Sequence, residues 1–329
     1  MSRALLITGA TGKQGGALIN YLLQSSAAHP RSTPATKEFT ILALTRDPTS
    51  ASARALAAKS PSIKLIKGDL DAVPSVFAAA KAASPSHSIW GVYSVQAYNG
   101  KVSEHSPETA QEVKQGIALI DQAIKEGVQH FVYSSVDRGG EDRSWENPTP
   151  IPHFRTKHLI EHHLREATTS KDGAAATTTM GWTILRPVAF MDNLSPGFFG
   201  KVLLTSMRDT LKGRPLQWVS TSDIGYFGAE AFRDPTKWNH KAISIAGDSL
   251  TFDQLNQAFK NATGGDPAGT TYGFFGSALR AGVKDVRLML DWFRDEGYNA
   301  DIDKLRELKP DLMDMETWIK KKSAFVKRK

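Results

Sequence analysis

Six apolar runs of strand length recur along the chain as far as residue 187, and residues with a helical spacing of apolar positions separate them. Alternation of this kind predicts a parallel sheet with helices on both faces. The clearest helix is predicted over 106–127, with Ser106 as its N-cap and Pro107 at its first position. The predicted strands are 4–7, 39–44, 63–70, 89–95, 128–135 and 182–187.

The alternation weakens after Leu194. A helix beginning at 222 is predicted to pack back on the first domain, and the remaining elements are assigned to a smaller one. The pattern therefore predicts a doubly wound α/β domain over 1–193, completed by about 223–238, and a C-terminal α+β substrate or partner domain over 194–329. The elements assigned to the smaller domain are a strand at 242–246, a helix opening at Thr251, and helices over 287–293 and 316–322.

The first strand leads directly into a glycine-rich turn, and a helical pattern follows the turn. Glycines at such a place let the backbone approach a phosphate, which the free N–H groups at the start of the helix can bind. The spacing is G-x-x-G-x-x-G and differs from the older G-x-G-x-x-G dinucleotide fingerprint. The cofactor-binding residues predicted here are Gly9, Thr11, Gly12, Lys13, Gln14 and Gly15.

The ends of the next three strands indicate which nucleotide binds. Arg46 follows the second strand, where an arginine suits a ribose 2′-phosphate and an acid would suit a free 2′-hydroxyl. The sequence therefore favours NADP(H) over NAD(H), although Asp47 lies beside the arginine. Asp69, at the end of the third strand, either lies by the adenine or caps the turn, and Val95 ends the fourth strand in the same region.

A second stretch with candidate chemistry is the predicted helix over 153–164. At about 100° per residue, His153 and Lys157 share one face with Ile160 and Leu164, which must pack on the sheet. A lysine on a core-facing stripe needs an anionic or polar partner. We expect a bound nucleotide to supply that partner, the alternative being that Lys157 extends to solvent.

The residues after the sixth strand enter the same crevice region. Phe190, Met191 and Asn193 are the candidate walls of a substrate pocket, although packing in the core is the simpler interpretation of Phe190 and Met191.

The composition limits the class of protein. The chain of 329 residues is long enough for two domains, with 40% hydrophobic and 23% charged residues. It has no cysteine, which excludes disulfides and thiolate chemistry. The net charge of +7 includes six basic residues among the last ten, so the remaining chain carries 7 − 6 = +1. This tail is interpreted as a solvated helix end, or alternatively as a nuclear-import or acidic-partner segment.

Several kinds of partner and location are not expected. No apolar run approaches membrane-spanning length, and the N-terminus opens into a strand, so we expect neither a membrane span nor a signal peptide. The histidines of 153–164 lack a metal-ligand spacing, and nothing resembles a helix-turn-helix or zinc finger, so neither a metal nor direct nucleic-acid binding is expected. We expect a cytoplasmic protein, also nuclear if the tail is an import signal.

Taken together, these stretches resemble the NmrA-like family, an atypical branch of the short-chain dehydrogenase/reductases, and are similar to its fungal members. The resemblance extends over nearly the whole chain. The matching motifs are Gly9-Ala10-Thr11-Gly12-Lys13-Gln14-Gly15-Gly16, Gln111-Glu112-Val113-Lys114-Gln115-Gly116, Phe131-Val132-Tyr133-Ser134-Ser135, His153-Phe154 with Lys157, Leu185-Arg186-Pro187 and Asp223-Ile224-Gly225.

The resemblance implies a Rossmann domain that binds NADP(H), in a family that contains both reductases and regulators. The chain departs from the Tyr-x-x-x-Lys pair of the parent enzymes, because His153 takes the tyrosine position while Lys157 remains. An imidazole has a reference pKa of about 6.5 and can act as a general acid. Regulators of the family also carry this histidine, and relatives resembling isoflavone reductases work with the lysine alone.

Three functions are compatible with these residues. The first is an NADP(H)-dependent oxidoreductase acting on a small carbonyl, quinone or enone, with Lys157 and His153 as catalytic residues. The second is a non-catalytic NADP(H) sensor with a regulatory protein partner. The third is a redox-neutral isomerase or cyclase. The oligomeric state is left open.

Overall fold

The computed structural model describes residues 2–24, 39–97, 102, 106–169 and 180–326. The predicted loop at 25–37, most of the loop at 168–180 and the last three residues of the basic tail lie outside the described residues. The chain divides into two compact units. The first comprises Met1–Ser135, Thr156–Leu185 and Ile224–Ile243, and the second comprises Val136–Arg155, Arg186–Asp223 and Ser244–Lys329.

The two units alternate along the chain, whereas the predicted domains meet at one main boundary. Residues 136–155 and 186–193 group with the C-terminal part, and residues 224–243 group with the N-terminal part. The division at residue 193 stays a prediction about how the chain folds.

The described residues contain ten strands, which form two sheets. The strands are β1 (Arg3–Ile7), β2 (Phe39–Thr45), β3 (Ile63–Lys67), β4 (Gly91–Ser94), β5 (His130–Ser134), β6 (Gly181–Pro187), β7 (Ala189–Phe190), β8 (Leu216–Val219), β9 (Lys241–Ile245) and β10 (Asp248–Leu250). The main sheet has seven strands in the order β3-β2-β1-β4-β5-β6-β9, and the small sheet has the order β10-β8-β7.

The central strand of the nucleotide-binding half is β1. Leu5 pairs in parallel register with Ile41 of β2 on one side and with Gly91 of β4 on the other. The pairs β2–β3, β4–β5 and β5–β6 are also parallel. Strands covered by helices on both faces are continuous apolar runs, which is why they are visible in the sequence. The predicted doubly wound Rossmann-type α/β fold is confirmed.

Fourteen helices are present among the described residues, and none of them is long and apolar enough to cross a membrane. They are α1 (Lys13–Leu23), α2 (Ala51–Ala57), α3 (Val73–Ala83), α4 (Gln111–Lys125), α5 (Arg143–Glu146), α6 (Pro152–Thr168), α7 (Phe198–Leu211), α8 (Thr221–Arg233), α9 (Pro235–Trp238), α10 (Phe252–Thr263), α11 (Gly273–Gly282), α12 (Lys284–Asp295), α13 (Ile302–Leu308) and α14 (Met315–Lys321).

Two element predictions need correction. The helix predicted from Ser106 begins later, because Pro107–Thr109 form a 3₁₀ turn and α4 starts at Gln111; Ser106 makes no capping hydrogen bond. The strand predicted at 242–246 forms as β9, but it pairs in the main sheet, next to β6, and not in the small sheet. The helices α8 and α9 lie between β6 and β9 in the chain, and these two strands are neighbours in the main sheet.

The second unit has its own core. Aromatic and aliphatic side chains from α7, α10, α12 and α14 are buried together with Trp218 of β8, Phe259 and Trp318 among them. The predicted opening of a helix at Thr251 is confirmed, since Thr251 and Gln254 form a capping box at the start of α10.

An aromatic patch of exposed side chains lies at the beginnings of α7 and α11. Both helices start within the same tetrapeptide, Gly-Phe-Phe-Gly. Through Phe275 the two sets of rings meet, because its ring centroid lies 5.1 Å from that of Phe198 and 3.9 Å from that of Phe274. The exposed members of the aromatic patch are Phe198, Phe199, Tyr272 and Phe274.

Candidate functional site

The glycine turn connects β1 to α1 and has the geometry that its sequence predicts. Gly9 adopts a φ of +57°, in the left-handed region that favours glycine. The N–H of Gly12 donates to the carbonyl of Gly9 at 2.9 Å. A Cβ at Gly15 would clash with the backbone of Gly9 and Ala10. The first turn of α1 therefore packs directly on the turn that precedes it.

No side chain of α1 or of its N-cap residue caps the N-terminus of this helix. Gly12 is the N-cap residue and provides no side-chain hydrogen bond, and the first turn contains no acidic residue. The first N–H groups of a helix lack partners within the helix and carry partial positive charge. This end of α1 is therefore suited to an anion such as a phosphate. Lys13 is the first residue of the helix and is exposed.

The hydroxyl group of Thr8 links the ends of β1 and β4 by hydrogen bonds beside this turn. Thr8 Oγ1 accepts a hydrogen bond from the N–H of Val95 at 2.8 Å and donates to the carbonyl of Val95 at 2.9 Å. The Val95 side chain also occupies the space where a Cβ on Gly9 would lie. The position of the glycine turn is thus set by the strand on the other side of the crevice.

A cleft of about 520 Å³ opens at this edge of the first unit. Its lining combines backbone from the glycine turn with residues that follow β2, β3 and β4. Five of the predicted cofactor-binding residues contribute to it: Gly9, Thr11, Arg46, Asp69 and Val95. The other lining residues are Leu44, Thr45, Asp47, Ser50, Gly68, Leu70, Asp71, Ala97, Gln111 and Gln115.

Arg46 and Asp47 have different environments in the cleft. The carboxylate of Asp47 accepts hydrogen bonds from the hydroxyl of Thr49 at 2.6 Å and from its N–H at 2.8 Å. These bonds lower the pKa of Asp47. Arg46 is exposed and has no hydrogen-bond or ion-pair partner among the described residues. Asp47 is therefore engaged by its own turn, while the guanidinium of Arg46 is available to an anion.

Asp69 caps the following turn and also lines the cleft, and its place beside an adenine stays a prediction. Its Oδ1 accepts from the N–H of Asp71 at 3.0 Å, at the start of a 3₁₀ turn. Asp71, which the sequence analysis missed, accepts from the amides of Gln111 and Gln115 at 2.7–2.8 Å. Those bonds lower the pKa of Asp71. Its side chain is thereby fixed at the wall of the cleft.

Gln14 connects α1 to the ends of two strands. Its Oε1 accepts a hydrogen bond from Ser134 Oγ at 2.6 Å, and the hydroxyl of Tyr93 lies 3.5 Å away. Burial raises the pKa of Tyr93 well above its ordinary value, so the phenol remains neutral and donates. The amide of Gln14 is thus held with its oxygen toward the sheet.

Lys157 has a partner within the protein itself. Its Nζ lies 2.7 Å from Oε1 of Glu112, and the hydroxyl of Thr156 donates to Oε2 of the same carboxylate at 2.6 Å. The side chains of Lys157 and Glu112 are 15% and 3% exposed. The inward direction expected of Lys157 is therefore observed, but α4 supplies the anion that the sequence analysis assigned to a nucleotide.

Glu112 was not singled out as a functional residue in the sequence. It lies on the buried face of α4 with Gly116, Leu119 and Ala123. A glutamate on that stripe is the signal that would have identified it, since a buried carboxylate requires a cation or hydrogen-bond donors.

The other predicted site residues lie in the second unit. His153 is in the first turn of α6, and its ring packs edge-on against Phe154 at 4.8 Å. Met191 is fully buried in the core of that unit, Phe190 is half-buried and Asn193 is exposed. Among the residues that the structure describes, no group of three His, Asp or Glu side chains could hold a metal ion.

The arrangement in the first unit fits a phosphate-containing nucleotide on three grounds. A Cβ would obstruct the glycine turn, the N-terminus of α1 is uncapped, and Arg46 is available at the wall of the cleft. These features lie within one unit and involve only described residues.

Comparisons with known proteins identify related chains. The family model described as the NmrA-like family matches residues 1–319. An NmrA-like family domain-containing oxidoreductase of Aspergillus hancockii is 26% identical over 273 residues, which are 80% of this chain and 73% of that protein.

Two solved structures share the fold. NmrA, a negative transcriptional regulator, in complex with NADP has a TM-score of 0.65 and 18% identity, covering 98% of this chain and 95% of its own. The triphenylmethane reductase of Citrobacter sp., complexed with NADP(H), has a TM-score of 0.66 and 19% identity, covering 96% and 99%.

Proposed function

This chain belongs to the NmrA-like family, and we propose that it is an NADP(H)-dependent oxidoreductase acting on a small carbonyl, quinone or enone. The observation that carries the proposal is the cleft in which the glycine turn and the available Arg46 line one space. The names of the related proteins support it, since one is an oxidoreductase and two others were solved with NADP or NADP(H).

The residues of the first unit would hold the cofactor as follows. The N–H groups at the start of α1 would bind the pyrophosphate, with Lys13 adding positive charge. Arg46 would bind the 2′-phosphate through its planar fork of donors. Leu70, Val95 and Ala97 would contact the adenosine through the apolar part of the cleft. When bound, NADPH supplies a hydride from its nicotinamide ring.

Lys157 would serve mainly to orient the ribose on the nicotinamide side. Its ammonium group is held by Glu112, and Thr156 fixes the second oxygen of that carboxylate. The ammonium therefore has a defined position before any ligand binds. His153, one helical turn earlier in α6, is the candidate donor of a proton to the reduced substrate. Phe190, Met191 and Asn193 remain proposed as pocket residues.

The test follows NADPH oxidation by its absorbance against a panel of quinones, aldehydes and enones. We expect turnover with at least one acceptor and a large loss in Lys157→Ala. Binding of NADPH without turnover of any acceptor would refute the oxidoreductase and leave the binding site in place.

A second candidate function is an NADP(H) sensor that regulates a protein partner. The ion pair Lys157–Glu112 favours it, because a lysine already neutralised by a carboxylate can hold a ribose without performing chemistry. The fold shared with a negative transcriptional regulator is compatible with this role. Its test compares the affinity for a captured partner with and without NADPH, and equal affinities would exclude it. A nuclear location and a role of the basic tail belong to this candidate.

A further inference from the structure

Gln96 carries a buried polar atom that the structure leaves without a partner. The residue follows β4 directly and is 6% exposed. Its Nε2 donates to Ser94 Oγ at 2.9 Å, while Oε1 has no hydrogen-bond partner among the described residues. A buried acceptor without a donor lowers the stability of the folded protein. Such an atom in a ligand-binding region is a reason to look for a donor from outside the chain.

The side-chain amide of Gln96 indicates which kind of ligand group could hydrogen-bond its unpaired end. Rotating the amide group of a glutamine by 180° exchanges its oxygen and its nitrogen. The unpaired end of Gln96 is therefore either the oxygen, which accepts, or the NH₂ group, which donates. Ser94 can serve either end, because a hydroxyl both donates and accepts. For the same reason a ligand hydroxyl satisfies the unpaired end of Gln96 in both orientations. A sugar hydroxyl is therefore the complementary group.

The sheet indicates which sugar this is. Tyr93 points toward α1, where its hydroxyl lies by Gln14, so Ser94 points to the opposite face of β4. Because Gln96 is hydrogen-bonded to Ser94, it lies on that same face. The face is covered by α4, which packs against β4 and carries Glu112, the partner of Lys157.

The position of β4 in the strand order gives the second argument. In a doubly wound sheet a dinucleotide lies across the point where the strand order reverses. Here that point lies between β1 and β4. The cleft with Arg46 is formed by the ends of β1, β2 and β3 together with residues after β4, so the half of the ligand beyond β4 is the nicotinamide half.

We propose that Gln96 hydrogen-bonds a hydroxyl of the nicotinamide-side ribose of bound NADP(H), an inference that rests on the cofactor proposed above. The unpaired end is covered by protein atoms in this structure. The amide therefore has to turn toward the carboxyl end of β4 when the ligand enters, by rotation of its last side-chain torsions. Gln96 would then be a binding residue that is satisfied only in the complex.

The experiment replaces Gln96 by leucine and measures two ligands by calorimetry. NADPH contains both riboses, whereas adenosine 2′,5′-bisphosphate contains the adenosine ribose and its 2′-phosphate but no nicotinamide ribose. We expect Gln96→Leu to raise the Kd for NADPH about tenfold and to leave the Kd for the bisphosphate unchanged. We also expect the ligand-free variant to melt at a higher temperature than the wild type, because an unsatisfied polar group has been removed.

Two further variants sharpen the comparison. Gln122→Leu makes the same change at a glutamine of α4 that donates to Glu126, and it should leave both Kd values unchanged. Ser94→Ala removes the protein partner of Gln96 but keeps its amide, so it should affect NADPH less than Gln96→Leu does.

The outcomes separate the two proposals. An unchanged Kd for NADPH in Gln96→Leu would overturn the role of Gln96 while leaving NADP(H) binding intact. Equal losses for NADPH and the bisphosphate would overturn the assignment to the nicotinamide side, and a lower melting temperature would show that the amide is satisfied without ligand. Failure of the wild type to bind either compound would refute the cofactor itself, and this inference with it.

Discussion

Lys157 and Glu112 form an ion pair between α6 and α4, with Nζ and Oε1 2.7 Å apart and both side chains largely buried. The pair connects two helices that cover one face of the sheet, and Ile160 of α6 fills the space left by Gly116 of α4 one turn further along. The residue expected to bind the cofactor is thus also part of the packing of the first unit. Its position is determined by the fold and not by the ligand.

Replacing Glu112 by glutamine should destabilise the protein, because it leaves a largely buried ammonium group without its counter-charge. We expect a loss of about 2–3 kcal/mol in the free energy of unfolding, measured by urea denaturation. Glu126→Gln is the matched control, since the Lys81–Glu126 pair has the same 2.7 Å separation but is more exposed. That variant should lose less than about 1 kcal/mol. Equal losses of unfolding free energy in the two variants would contradict the prediction that the buried pair contributes more to stability than the exposed one.

Removing the charge of Arg46 should change the choice of cofactor. We expect Arg46→Ala to raise the Kd for NADPH about 10- to 100-fold, because charge-assisted hydrogen bonds to the 2′-phosphate are lost, and to leave the Kd for NADH nearly unchanged. Arg54→Ala removes an exposed positive charge from α2 that does not line the cleft, and it should alter neither value. A wild-type protein that binds NADH as tightly as NADPH would contradict the role of Arg46.

Two adjacent glycines of α1 should respond to alanine in opposite ways. A Cβ at Gly15 would clash with the backbone of Gly9 and Ala10, so Gly15→Ala should cost about 1–3 kcal/mol and weaken NADPH binding. At Gly16 the nearest atom is the carbonyl oxygen of Ala10 at 3.7 Å, an ordinary contact. Gly16→Ala should stabilise the helix by about 0.5–1 kcal/mol. Thermal melting and calorimetry on both variants test this, and a stable Gly15→Ala would refute the tight packing.

The stability of the protein should depend on His130 in the acid range. Burial, aided by the charge of His240, lowers the pKa of His130 from 6.5 to about 4. Its Nε2 lies 2.9 Å from Thr183 Oγ1, whose own proton goes to the carbonyl of Trp238, so Nε2 carries the hydrogen and the ring is neutral.

His130 binds a proton more readily in the unfolded chain than in the folded protein. Between pH 6.5 and about 4, His130 is protonated in the unfolded chain but not in the folded protein. The contribution of the neutral, buried ring to the free energy of unfolding is therefore fully present above pH 6.5 and falls as the pH is lowered. The difference between pKa values of 6.5 and about 4 corresponds to about 3 kcal/mol of stability. Urea denaturation at pH 7.0 and 4.5 should show a smaller decrease for His130→Gln than for the wild type. The same decrease in both would exclude His130 as its source.

The elements of the fold that could be predicted from the sequence are those with a regular pattern of apolar residues. The strands β1, β2, β5 and β6 are buried on both faces, so their apolar runs locate them within a few residues. The helix α7 was not predicted, because it is apolar on several sides and begins with exposed phenylalanines, and α11 repeats that composition. The start of α4 was misjudged because Ser106 and Pro107 suit a 3₁₀ turn as well as a helix N-terminus.

The candidate site was predictable as far as it consists of backbone and strand ends. The glycine turn, Arg46 and Asp69 follow strands directly, and the cleft contains them. Glu112, Asp71 and Gln96 were missed because their roles depend on partners distant in sequence or on an unpaired atom. Helical spacing showed correctly that Lys157 points inward, but it could not reveal which group the lysine meets.

The aromatic patch at the beginnings of α7 and α11 bears on how the protein behaves at high concentration. Phe199, Tyr272 and Phe274 expose most of their surfaces to water. Exposed apolar clusters of this kind promote association between molecules, and excluded salts such as sulfate strengthen it. Monodispersity in light scattering should therefore decline as ammonium sulfate is added. Serine at Phe199 and Phe274 should restore it, which would make that double variant the practical starting point for concentrated samples.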